Sequence, residues 1–122
     1  MREVCFIGRK EVEPLRLYNV RHWWPGVSVT WTSRGESPFE KQVEEFAREY
    51  DIPFRRYECA WGLHPVFQSR ARRDESMFSN ADFVVTSYSE TEIVEEDPDA
   101  FRLLGEYNRT VTPLTAKRRM DP

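Results

Sequence analysis

Hydrophobic positions in this chain alternate between two rhythms, short unbroken apolar runs and apolar residues at helical spacing. Val4 to Ile7 is a continuous apolar run closed by Gly8, the pattern of a strand buried on both faces. After Pro14, the residues Leu15, Tyr18, Val20 and Trp23 recur near helical spacing until Pro25-Gly26 stops them, which predicts a helix over about residues 12–23. Val27 to Thr32 is rich in β-branched residues and predicts a second strand. Ser37, Pro38 and Glu40 then stand as an N-cap serine, a proline at the first helical position and a glutamate at the third, the capping-box arrangement. Phe39, Val43, Phe46, Ala47 and Tyr50 give that helix one apolar face, extending it to about Tyr50.

The same alternation continues to the C-terminus. Ile52 to Ala60 predicts a third strand whose lower apolar content suits a sheet edge, residues 66–79 a helix, and Asp82 to Thr86 a fourth, buried strand. Asp97-Pro98 repeats the cap-plus-proline signal and opens a helix carrying Phe101, Leu103, Leu104 and Tyr107, with a fifth strand over Arg109 to Leu114. Strands alternating with helices predict a Rossmann-like three-layer α/β/α sandwich around a mostly parallel sheet of about five strands. Residues 1–115 form one domain in this reading, and the patternless stretch 116–122 is a flexible tail.

Composition narrows the function classes. A chain of 122 residues with 39% hydrophobic and 32% charged residues is that of a globular domain able to bury its own core. The net charge of −3 argues against a nucleic-acid binder driven by bulk charge, though not against a local basic pocket. Cys5 and Cys59 each lie in a predicted strand, away from any Cys/His group, which predicts buried free thiols in a reducing compartment. His22 and His64 stand at no metal-ligand spacing, and no apolar run approaches a membrane span, so the expectation is a cytoplasmic protein without metal, cofactor or membrane association.

In folds of this class, ligands bind beyond the carboxyl ends of the strands. Those ends carry Gly8-Arg9-Lys10, then Ser33-Arg34-Gly35-Glu36, then Trp61-Gly62, then Thr86-Ser87. The second loop leads into the capped helix, whose N-terminal N–H groups favour an anion. Arg70 and Arg73, three apart on one helix, share a face and can clamp one anionic group, while Arg72 points elsewhere.

These segments together resemble the SLOG superfamily of Rossmann-like nucleotide-binding domains, which includes the DprA and LOG proteins, and are most similar to its YspA-type branch. The family's opening strand ending in Gly-Ser-Arg is matched by Gly8-Arg9-Lys10, and its Val-Pro-Val-x-x-Phe-x-Ala-x-Trp segment by Ile52 to Trp61. Its Arg-Asn-x-x-Met, followed by Ala-Asp and an apolar strand, is matched by Arg73-Asp74-Glu75-Ser76-Met77 and Ala81-Asp82 with Phe83 to Val85. Departures fall on the site. Gly35 alone remains of the family's glycine-rich second loop, Glu40 replaces an aspartate, Asp74 an asparagine and Ser69-Arg70 an Ala-Gly pair. The phosphate loop that often follows the fourth strand is replaced by residues 87–91.

The resemblance implies a nucleotide or nucleotide-derived ligand, of nucleoside phosphate or ADP-ribose type, and a homodimer. Its ligand-binding positions here are Gly8, Arg9, Lys10, Ser33, Arg34, Gly35, Glu36, Glu40, Trp61, Arg70, Arg73, Asp74, Thr86 and Ser87. Each has an alternative: Glu40 as a helix cap, Trp61 as core closure, Arg73 paired with Glu36, Glu40 or Asp82, and Asp74 bridged to Arg70. A phosphoribohydrolase- or deoxyribosyltransferase-like enzyme would instead need a carboxylate beneath the sugar, from Glu40 or Glu90, to meet an oxocarbenium-like transition state. A third reading is a degenerate pocket on a protein-interaction scaffold that uses exposed tryptophans and the acidic run from Glu90 to Asp97. Binding ranks first, because Glu40 is consumed by capping and Glu90 lacks the glycine-threonine loop that would set it.

Overall fold

The computed structural model describes residues 2–59, 66–89 and 91–114. Five parallel strands, β1 (Arg2–Ile7), β2 (Val29–Ser33), β3 (Phe54–Arg56), β4 (Phe83–Thr86) and β5 (Val111–Pro113), form one sheet in the order β3-β2-β1-β4-β5. The helices are α1 (Pro14–Val20), α2 (Pro38–Glu49), α3 (Val66–Asn80), α4 (Glu92–Glu96) and α5 (Pro98–Glu106). Val4 pairs with Trp31 on one side and Phe83 on the other, so β1 is the centre of the sheet. Alternation along β1 separates two cores. Val4 and Phe6 meet Leu17 and Val20 of α1 and Phe39, Val43 and Phe46 of α2, while Cys5 and Ile7 meet Met77 and Phe78 of α3 and Leu103 and Leu104 of α5. This is the Rossmann-like α/β/α arrangement with helices on both faces. Each fully buried Leu, Phe or Val contributes about 1.5–3 kcal/mol, and β1 places its residues 4–7 in both cores.

Capping chemistry explains the firmest boundary. The Ser37 hydroxyl accepts from the Glu40 N–H at 3.2 Å, and Pro38 opens α2 where a missing N–H costs nothing. Elsewhere the boundaries move. Helix α1 ends at Val20, and Trp23 and Trp24 lie in the turn beyond it, with Trp24 stacked on Phe83 at 4.5 Å. The third strand keeps only Phe54–Arg56, at the sheet edge, and Cys59 lies beyond its end, half-buried; both cysteines are free thiols. The acidic stretch before α5 forms the short helix α4 over Glu92–Glu96. Among the described residues no helix is long and apolar enough to cross a membrane.

The chain starts in the centre, builds outward to β3, and returns to the other side of β1. Its topological reversal therefore lies between β1 and β4, where sheets of this kind open a crevice.

Candidate functional site at the strand ends

Several of the residues singled out at the strand ends and on the helices behind them converge on one another. Arg34 leaves the end of β2 and turns inward until its side chain is only 8% exposed. Its Nη2 lies 2.6 Å from Glu40 Oε2 and 2.8 Å from Asp97 Oδ2, and its Nη1 lies 3.4 Å from Asp74 Oδ2. Glu40, fully buried, also accepts from the backbone N–H of Glu36 at 3.2 Å and of Gly8 at 3.4 Å. One guanidinium thus ties α2, α3 and the junction of α4 and α5 to the end of β2. Burial works against the charge of Arg34, but Glu40, Asp97 and Asp74 outweigh it and push its pKa well above the ordinary arginine value. Burial dominates at Asp74 and raises its pKa, with Arg34 and Arg73 offsetting only part of that rise. Removing one partner from such a buried cluster typically costs about 3–5 kcal/mol, because the others stay buried and uncompensated.

The N-terminus of α2, a natural anion seat, is satisfied from within. Phe39 N–H donates to the Arg9 carbonyl at 3.0 Å, Glu40 N–H to the Ser37 hydroxyl, and Lys41 N–H to the Ser37 carbonyl at 2.9 Å, while Pro38 has no N–H to offer. The Glu40 carboxylate does not complete the reciprocal half of the capping box; it turns to Arg34 and the N–H groups of Gly8 and Glu36. At the reversal crevice, a Cβ on Gly8 would stand 2.0 Å from Ser87 Oγ and 2.7 Å from Phe39 Cδ2, so Gly8 admits its own neighbours closely. A small cavity of about 110 Å³ remains beside it, lined by Arg9, Lys10, Ser87, Tyr88, Glu92 and Glu96. Ser87 Oγ is buried with no hydrogen-bond partner.

The remaining positions divide simply. Ser33 Oγ donates to the Phe6 carbonyl at 2.9 Å, tying β2 to β1, and Thr86 Oγ1 accepts from Tyr88 N–H at 3.0 Å. Arg9 and Lys10 are exposed, Arg9 pairing with Glu96 at 3.1 Å. Gly35 takes φ +71°, with Arg56 so close that an added Cβ would lie 2.9 Å from its Nε. Trp61 and Glu90 lie outside the described residues, as do His64 and the tail 116–122.

On α3 the two arginines meet a carboxylate at the rim. Arg73, 3% exposed, holds Glu36 Oε2 at 2.9 Å through Nη1 and Asp74 Oδ1 at 2.8 Å through Nε. Arg70 Nε lies 3.6 Å from the same Glu36 oxygen. Glu36 itself is 38% exposed. Its burial disfavours the charged form, yet the hydrogen bond and charge of Arg73, with Arg70 and Arg34 behind, hold its carboxyl below the ordinary carboxylate value. Asp74 pairs with Arg34 and Arg73.

Some participants were invisible in the one-dimensional pattern. Asp97 reads as a helix cap, but its side chain makes no cap hydrogen bond and serves Arg34 instead. Arg55, Arg56 and Arg72 join Arg73, Tyr57, Glu58, Ser69 and Ser76 around a groove of about 300 Å³ between the β3 edge and α3; the adjacent Arg55-Arg56 pair was the available signal. Two larger cavities, of about 420 and 430 Å³, lie away from this cluster, one beside Trp23, Trp24 and Asp82, the other between β5 and α5. No group of three or more metal-ligating side chains occurs among the described residues. Comparison of the chain with protein-family models, with curated proteins and with solved structures finds no match in any of the three.

Proposed function

We propose that this protein is a binding module for a nucleotide or nucleotide-derived ligand whose phosphate is held by Arg70 and Arg73 of α3, with the Glu36 carboxylate as the group the phosphate displaces. The observation that carries this reading is the convergence of two arginines, one helical turn apart, on a single carboxylate oxygen at an accessible rim. A phosphate is, like that carboxylate, an anion with paired acceptor oxygens, and it carries more charge and a third oxygen; arginine forks suit both. Glu36 is the exposed member of the cluster and therefore its exchangeable one, whereas Glu40, Asp74 and Asp97 are committed to Arg34. The resemblance to the SLOG superfamily supports a nucleotide as the carrier of that phosphate.

Binding is favoured over glycosidic catalysis because Glu40 is fully buried and accepts from Arg34 and two backbone N–H groups. A nucleophile beneath a sugar needs an accessible oxygen. The test is thermal unfolding of the native protein and Arg73→Ala with AMP and ADP-ribose. A ligand present at a hundred times its dissociation constant stabilises the native protein by about 2.7 kcal/mol, and Arg73→Ala should lose that gain. No stabilisation of the native protein by either compound would overturn the nucleotide reading and favour the interaction scaffold.

A further inference from the structure

We infer that the groove between the β3 edge and α3 is the seat of a second phosphate, so that the ligand is a small molecule carrying a pyrophosphate. The inference rests on the phosphate reading of Arg70 and Arg73 and deepens it. Arg73 belongs to both places: it pairs with Glu36 at the rim and lines the groove. Three further arginines, Arg55, Arg56 and Arg72, line the same groove against one carboxylate, Glu58. Their commitments differ. Arg56 spends Nε and Nη2 on Glu44 and keeps the donors of Nη1. Arg55 reaches Glu3 only at 3.8 Å and otherwise lies over the Tyr57 ring, 4.3 Å from its centroid. Arg72 is exposed and makes no ion pair with another described residue. Four guanidinium groups around about 300 Å³ give more donors than the neighbouring carboxylates use, in a chain whose net charge is −3.

In this assignment one phosphate lies on Arg70 and Arg73 and the next on Arg72 with Arg55 or Arg56, the two seats meeting at Arg73. A nucleic-acid strand would need a basic track running on beyond the groove, which the acidic net charge disfavours. The test is calorimetric titration of the native protein and Arg72→Ala with inorganic phosphate, pyrophosphate and a ten-nucleotide oligothymidylate. Arg72→Ala should fold normally, since the side chain is exposed and makes no ion pair with a described residue. Native protein should bind pyrophosphate at least tenfold more tightly than phosphate, and Arg72→Ala should remove most of that ratio while leaving phosphate affinity unchanged. Equal affinity for the two anions in native protein would overturn the second-phosphate site and leave the first standing. No binding of either anion would overturn both. Tighter binding of the oligothymidylate than of pyrophosphate, lost in Arg72→Ala, would replace the small molecule with a single strand.

Discussion

Two regions lie side by side in this molecule and set arginine in opposite surroundings. At the end of β2, Arg34 is buried among Glu40, Asp74 and Asp97, and its charge is spent on joining elements of the fold. Along α3 and the β3 edge, Arg70, Arg72, Arg55 and Arg56 are exposed, and their carboxylate partners are fewer or more distant. Arg73 stands between, buried like the first group and turned through Glu36 toward the second. What separates Arg34 from Arg73 is the exposure of the carboxylate partner and not of the arginine itself: Arg34 is held by Glu40, Asp74 and Asp97, while Arg73, equally buried, reaches the more exposed Glu36.

The largest expected effect breaks the first region. Arg34→Ala leaves the buried Glu40 and Asp74 and the partly buried Asp97 without their shared cation and should cost about 3–5 kcal/mol of stability, measured by urea unfolding. A loss below about 1 kcal/mol would mean the cluster is more hydrated than its burial implies. Next, Arg73→Ala should weaken phosphate or nucleotide binding by an order of magnitude or more, equivalent to about 1.5–3 kcal/mol for a charge-assisted contact. Unchanged affinity would remove α3 from the site.

Acid sharpens the contrast through two carboxylates with opposite shifts. Glu36 is held below its ordinary value of 4.5, so its contribution to stability is complete above that pH and is lost as pH falls through the lower folded-state value. Asp74 is raised above 3.8, so its protonation on acidification relieves a cost of burial and acts in the other direction. Melting temperatures measured from pH 6 to pH 3 should therefore fall less steeply below pH 4.5 in Glu36→Gln than in the native protein. Parallel curves would show that Glu36 is not held by the arginines in solution. The smallest effect belongs to Arg72→Ala, whose stability should stay within about 0.5 kcal/mol of native.

Legibility in the sequence followed locality. The parallel α/β architecture was readable because Val4 to Ile7 is an unbroken apolar run and Ser37, Pro38 and Glu40 mark a helix start within four residues. The end of α1 was misplaced because Trp23 continues the helical spacing while its ring belongs to a turn cluster with Trp24 against Phe83. The convergence of Arg34, Glu40, Asp74 and Asp97 spans more than sixty positions, and nothing local marks which carboxylate each arginine chooses. The pairing of Arg73 with Glu36 was one of several open alternatives. Only the folded sheet, which brings the β2 loop over α3, selects it.

The most direct test of the account is titration of inorganic phosphate into native protein and Glu36→Gln, followed by calorimetry at neutral pH. If Glu36 occupies the place of a ligand phosphate between Arg70 and Arg73, removing its charge should tighten phosphate binding about tenfold, or about 1.4 kcal/mol. Weaker or unchanged binding in Glu36→Gln would contradict it and make the rim pair, like the Arg34 cluster, a bond of the fold alone.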